Sequence, residues 1–314
     1  MYLQGELAKG NMKASTVDCY ESALKKHLIP AFGHMDMRAI SAEMVERFAA
    51  EKATGGMAPR SVTSLLLLLG VMFQYAIRHK YASINPTKGV KKGKAPTRRI
   101  QPLSFEDVPT FLAAAEADCY ALFLTAIMTR MRQGELFGLQ WGDIDWANGL
   151  IHVRRGVYRG SFTTPKSERS ERAVVIPPQL VRVLEEHRVA CLAYPNRHDL
   201  VFPNSEGGVW ATSNLLKRRF YPALRRAKLA KRAFHDLRHT YASMAIRKNQ
   251  PIKFIQKQLG HSSIQTTLDI YGHLLPETVE DARERIGEIF DEVASTSVRL
   301  ALDSRDKMVE ISEA

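Results

Sequence analysis

Apolar positions recur at helical spacing from near the start of the chain. Val17, Tyr20, Leu24 and Leu28 share one face, which predicts a helix over residues 15–28 capped by Ser15 or Thr16. A second helix is predicted from about Ser41. A third is predicted over 59–79, where Pro59 suits a first helical turn and the apolar stretch outlasts an ordinary strand. Residues 1–87 therefore read as a helical domain. Residues 88–102 break the pattern: Lys88, Lys91, Lys92, Lys94, Arg98 and Arg99 stand among glycines and prolines with no acidic residue and little to bury, as in a basic linker.

Periodicity then resumes. Ser104 heads a predicted helix with Glu106 and Asp107 in its first turn, and a second helix is predicted over 120–131. Between residues 141 and 177 β-branched and polar residues alternate, and Asn148-Gly149 is a strong hairpin signal, so two or three antiparallel strands are expected. Helices resume at Gln179. Residues 103–295 thus read as an α+β domain, and the whole chain as mainly α with a small antiparallel β-sheet. Residues 277–293 predict an amphipathic helix with Val279, Ala282, Ile286, Ile289 and Phe290 on one face, which needs a partner surface on its own domain or on a second copy. Residues 296–314 carry little apolar periodicity and read as a flexible tail.

The 314 residues are 45% hydrophobic, enough to give two domains real cores. Forty-five Lys and Arg stand against 33 Asp and Glu, a formal net charge of +12, which suits a polyanionic partner: nucleic acid first, an anionic membrane surface second. Cys19, Cys119 and Cys191 are odd in number and widely spaced, so neither a disulfide framework nor a metal site is suggested, and a reducing cytoplasm fits best. The longest apolar run, residues 65–73, falls short of the roughly 20 residues of a membrane span. No signal-peptide pattern opens the chain.

Four segments could carry chemistry, and each has a plain alternative. In HDLRHT, residues 235–240, His235 and Arg238 project together beside an apolar face of Leu237, Tyr241, Met244 and Ala245; a solvated basic helix edge explains this equally well. His235 and His239 also have the spacing of two zinc ligands, but Asp236 is a methylene shorter than the glutamate such a motif needs, and Arg238 would oppose a dication. In LGHSSIQTTLDIYGH, residues 259–273, Gly260 ends a helix carrying Ile252, Ile255 and Leu259, and Thr266 or Thr267 caps the next. His261 then lies in the turn and Tyr271 near the next helix, where core packing is the default for each alone. TRMRQGEL, residues 129–136, sets Arg132 and Glu135 three apart, as in many surface ion pairs. TPKSERSER, residues 164–172, puts Lys166 in a polar turn between strands, where most lysines are merely solvated.

Together these segments resemble the tyrosine recombinase (phage integrase) family. The ordered series Arg132, Lys166, His235 with Arg238, His261 and Tyr271 matches the family's boxes over residues 104–290, and the helical first domain is similar to its core-DNA-binding domain. The resemblance implies two domains forming a clamp around DNA, and a site-specific recombinase that cuts and rejoins strands through a 3′-phosphotyrosyl intermediate without metal, ATP or other cofactor. It implies Tyr271 as nucleophile, Arg132 and Arg238 on the scissile phosphate, Lys166 as general acid, His235 and His261 completing the site, and Glu135 orienting Arg132. The residue types suit that chemistry. An in-line displacement at phosphorus builds charge on equatorial oxygens, which two guanidinium forks match bidentately. A phenol with an ordinary pKa near 10 needs cationic neighbours to become a nucleophile.

The implied partners are double-stranded DNA at attachment sites, further copies in a homotetramer on paired sites, and accessory DNA-bending or directionality proteins, with no membrane; the implied location is the cytoplasm. Phosphate contacts are expected from Lys91, Lys92, Lys94, Arg98 and Arg99 of the linker and from Lys217, Arg218 and Arg219, with Arg225 and Arg226 also basic. The alternatives are a type IB topoisomerase-like DNA-relaxing enzyme and a non-enzymatic DNA-binding protein. Two departures from the family stand out. Arg130 occupies a position usually held by Gly, which means either an added phosphate contact or an altered loop, costly if φ is positive there. The first helix also begins almost at once, where members that bind separate arm sites carry a further domain.

Overall fold

The structure, a computed structural model, describes residues 12–91, 93, 101–163, 172–193, 195–248, 250–259, 263–271, 283 and 287. The chain divides into two units, Met1–Arg99 and Ile100–Ala314. The first is built from α1 (Ala14–Ala23), α2 (Ile29–Phe32), α3 (Ala42–Thr54) and α4 (Pro59–Arg78), with a π-helical turn, Leu24–Leu28, joining α1 to α2. Ser41 caps α3 as expected, its Oγ accepting from the Met44 amide at 3.3 Å. The cap of α1 is not the expected one: Lys13 occupies the N-cap without a side-chain capping bond, and Ser15 and Thr16 already lie inside the helix. Phe32 and Phe48 meet at 5.1 Å between ring centroids, and Leu65, Leu69 and Phe73 of α4 complete the core around them. By length and composition alone α4 could cross a membrane. Its buried Leu65, Leu66, Leu69 and Phe73 give it the packing of a core helix.

The second unit opens with α5 (Asp107–Ala113), α6 (Ala117–Thr129) and α7 (Gln133–Phe137). Ser104 and Asp107 cap the entry to α5 reciprocally, Oγ accepting from the Asp107 amide at 3.1 Å and the carboxylate from the Ser104 amide at 3.2 Å. Strands β1 (Ile144–Asp145), β2 (Leu150–Val153) and β5 (Arg172–Val175) form a three-stranded antiparallel sheet in the order β1-β2-β5, with Ile144 opposite Ile151 and Ile151 opposite Val174. Gly149, at φ 62, turns β1 into β2 where Asn148-Gly149 predicted a turn. A second hairpin, β3 (Gly156–Tyr158) with β4 (Ser161–Thr163), turns at Arg159 (φ 48) and Gly160 (φ 80), a pair outside the usual hairpin signals. Residues 141–143 form a 3₁₀ turn instead of strand, held by the Asp143 carboxylate on the Gln140 amide at 3.0 Å.

Helices α8 (Pro178–Cys191), α9 (Thr212–Leu215) and α10 (Tyr221–Arg226) follow, then α11 (Asp236–Arg247), α12 (Ile252–Leu259) and α13 (Ile264–Tyr271). Phe111, Phe123, Phe220 and Phe234 interlock at 5.2–6.3 Å between centroids, joining α5 and α6 to the approach to α11. Each such ring, fully buried, contributes about 1.5–3 kcal/mol. That cluster fixes α11 alongside α6, and so aligns the C-terminal end of α6 with the HDLRHT motif. Thr266 and Thr267 do not cap α13 but lie within it; Ser263 accepts from the Gln265 amide at 3.1 Å instead. Lys92, Lys94, Arg98, Arg99, Lys166, His261 and almost all of residues 277–314 lie outside the described residues.

Candidate active site

Three sequence elements converge at the end of α6. The helix stops where Arg130 adopts φ 58 and ψ 18, a left-handed turn that ends helical hydrogen bonding. Two residues on, Arg132 sits at the N-cap of α7, and Glu135 closes back on it: one carboxylate oxygen accepts from the Arg132 amide at 2.8 Å, the other from Nη1 at 2.9 Å. Arg172, at the start of β5, reaches the same carboxylate from the other side, at 2.9 and 3.2 Å. Glu135 and Arg172 are about nine-tenths buried while Arg132 remains nearly half exposed. Burial alone would raise the Glu135 carboxyl, but Arg172 and then Arg132 outweigh it and hold it below the ordinary carboxylate range.

The α11 helix supplies the other wall. The plain reading of HDLRHT as a solvated basic edge does not hold, since Asp236, Arg238 and His239 are all buried, Arg238 to 4% exposure. Asp236 accepts from the Ala233 amide at 2.8 Å, and Thr240 accepts from the Leu103 amide at 3.0 Å, which locks the helix start. Arg238 donates through Nη1 to the Arg130 carbonyl. Burial, together with the charges of Arg132 and Arg172, lowers its pKa to about 10, so it stays cationic at neutral pH. His235 and His239 stack edge to face at 5.1 Å. Nδ1 of His239 is hydrogen-bonded to the Tyr271 hydroxyl, an engagement unlike that of a zinc ligand paired with His235.

Tyr271 ends α13 and is 2% exposed, packed with Ala242, Ile246 and Ile255. Burial pushes its phenol well above the usual value; the charge of Arg238 pulls the other way. Arg132, Glu135, Arg238 and Tyr271 are thus brought to one place, with His235 one helical turn from His239. Arg172 and His239 also lie at this place; motif reading passed over the first and weighed the second only as a zinc ligand. A signal existed for the first: strand alternation puts Arg172 on the face of buried Val174, so its charge required a buried partner.

The proposed DNA contacts divide. Lys91, Lys217 and Arg218 are exposed, the latter two on the π-helical turn Leu216–Phe220. Arg219 is held by Asp118 at 2.9 Å and Glu116 at 3.1 Å. Arg226 donates to the Ala114 carbonyl at 2.9 Å. The Arg130 side chain makes no phosphate-facing projection; it is 1% exposed.

Residues 101–278 match the model of the phage integrase family, and residues 2–52 match that of the phage integrase N-terminal SAM-like domain. The chain is 30% identical over 318 residues to a tyrosine recombinase XerC-like protein of Caldanaerobacter subterraneus subsp. tengcongensis, a match covering 91% of this chain and 81% of that one. It is 26% identical to the ICEBs1 integrase of Bacillus subtilis, over 85% of this chain and 76% of the relative. In fold it is similar to the Tn1549 transposon integrase solved with a circular intermediate DNA, with a TM-score of 0.77 at 17% identity over 92% and 98% of the two chains. A lambda integrase tetramer bound to a Holliday junction gives a TM-score of 0.65 at 17% identity over 83% and 76%. With the family model spanning more than half of its length, and with an arginine pair and a tyrosine gathered at one site, this chain belongs to the phage integrase family of tyrosine recombinases, site-specific enzymes that break and rejoin DNA.

Proposed function

We propose that Tyr271 is the nucleophile and that Arg132 and Arg238 hold the scissile phosphate of double-stranded DNA. One observation carries the assignment: the Tyr271 hydroxyl, on His239, lies within electrostatic reach of Arg238, whose charge in turn feels Arg132 and Arg172. With DNA bound, the two guanidinium groups neutralise the charge that develops on the non-bridging oxygens. The tyrosine oxygen forms its bond to phosphorus as the bond to the 5′ oxygen breaks. The phenol proton has Nδ1 of His239 as an acceptor, and the leaving 5′ oxygen takes a proton from Lys166, assigned through its motif. Attack by a 5′ hydroxyl on the phosphotyrosine reverses each transfer and restores Tyr271. His235 and His261 complete the phosphate pocket, and Glu135, clamped by Arg172, fixes the angle of Arg132.

The partners proposed are attachment-site DNA, contacted through the basic residues named above, and three further copies in a tetramer on paired sites. Accessory DNA-bending proteins would set the direction of recombination, and the site of action is bacterial cytoplasmic DNA. The test is Tyr271→Phe on a nicked duplex carrying a candidate site. The variant is expected to keep its DNA affinity and to lose the denaturant-stable covalent complex that the wild type forms, because only the attacking oxygen is removed. Covalent product from Tyr271→Phe would overturn the assignment. Relaxation of supercoiled plasmid by isolated protomers, without recombinant product, would favour the topoisomerase-like alternative.

A further inference from the structure

Arg130 takes a left-handed backbone at φ 58, where glycine would turn the chain at lower cost. Its side chain makes the position costlier still. The guanidinium is 1% exposed, and among the described residues its Nε and Nη1 have no hydrogen-bond partner. Burial lowers its pKa only to about 10, so a full charge is kept in the interior. What it touches is specific. The guanidinium carbon lies 3.7 Å from the centroid of the Tyr241 ring on α11, and Nη2 donates to Oε1 of Gln258 on α12 at 2.7 Å. Meanwhile its main-chain carbonyl accepts from Nη1 of Arg238.

We infer that Arg130 is a positioning residue: through its carbonyl it sets Arg238, and through its guanidinium it pins α12, the helix before the one that ends in Tyr271, to the same point. The inference rests on the recombinase reading of the site. Strained backbone and an incompletely paired buried cation are both unfavourable for stability, and such features persist where a site needs them. The stacked, planar fork of arginine ties two helices with one group, which neither glycine nor lysine can do. In chemical terms it couples the arginine that grips the phosphate to the element that delivers the nucleophile.

The experiment uses the full chain and a nicked duplex substrate at saturating concentration, and reads the single-turnover rate of covalent-complex formation, DNA affinity and the thermal midpoint. R130G is expected to keep affinity within about twofold and to hold or raise the midpoint, yet to cleave on the order of tenfold or more slowly, the cost of misplacing reacting groups. R130K keeps the charge and is expected to show the same loss. On the other partner, Gln258→Met should slow cleavage to a similar degree, whereas Gln258→Glu, which turns the hydrogen bond into an ion pair, should retain the wild-type rate. The double variant R130G/Q258M should be no slower than R130G alone, because both remove one link. Wild-type cleavage by R130G, or losses that multiply in the double variant, would overturn the inference. Absence of a covalent complex from the wild-type chain strikes the recombinase reading instead, a distinct outcome.

Discussion

The hydroxyl of Tyr271 is hydrogen-bonded to Nδ1 of His239, one helical turn along α11 from His235 and next in sequence to Arg238. The bond ties the end of α13 to the helix that carries Arg238. It also leaves Tyr271, the proposed nucleophile, covered at 2% exposure, with burial holding its phenol neutral. In the proposed reaction the hydroxyl exchanges its buried setting for the phosphate and the two arginines, whose charge favours phenolate.

His239→Ala removes the described partner of a buried hydroxyl. The expected cost is about 1–3 kcal/mol of folding stability, read from urea midpoints at constant slope. His239→Gln keeps a polar group at the position and should recover part of that loss. If His239 also receives the phenol proton, both variants should slow covalent-complex formation while leaving DNA affinity unchanged. A fully active His239→Ala would assign the proton to another group.

The motifs singled out Arg132, Glu135, Arg238 and Tyr271 as candidates because recombinase chemistry needs charged residues at fixed spacing, and the fold brings these four together. His239 was not legible as the partner of Tyr271, and Arg172 was legible only through strand alternation. A histidine beside a motif looks like spacing until the fold brings a residue 32 positions away onto its ring, and a strand arginine looks solvated until Glu135 meets its guanidinium. Three helices of the first unit followed from apolar spacing, from the start near Ser41 and from Pro59 ahead of a long apolar stretch, whereas the short helix Ile29–Phe32 carried no such signal. Caps were legible at Ser41 and Ser104 but not at α1 or α13, where Lys13 stands in place of Ser15 or Thr16 and Ser263 in place of Thr266 or Thr267.

The Glu135 carboxylate between Arg132 and Arg172 makes stability depend on acid. Its folded-state pKa lies below the unfolded value, so its contribution is present above about pH 4.5 and is lost as pH falls through the lower folded value. Glu135→Gln should flatten that acid limb in urea titrations and lower stability at neutral pH. Arg172→Met strands the carboxylate with Arg132 as its remaining described cation, and breaking a buried pair this way is expected to cost about 3 kcal/mol. An unchanged acid limb in Glu135→Gln would place the titration elsewhere.

The surface arginines and lysines are separable by salt dependence. Lys217 and Arg218 are exposed on the Leu216–Phe220 turn, whereas neighbouring Arg219 is engaged by Glu116 and Asp118. A phosphate contact releases condensed counterions, so neutralising one residue that makes such a contact lowers the slope of log affinity against log salt by roughly 0.9. Lys217→Gln and Arg218→Gln are each expected to show that decrement and to weaken binding to all sequences alike, since phosphate contacts carry no base information. Arg219→Gln is expected to change the slope by less, because its carboxylate partners already neutralise it, and to cost little stability, as exposed pairs are worth about 0–1 kcal/mol. Filter binding across a salt series measures all three. A full decrement for Arg219→Gln alone would mean that DNA displaces Glu116 and Asp118, and would move the phosphate track one residue along the turn.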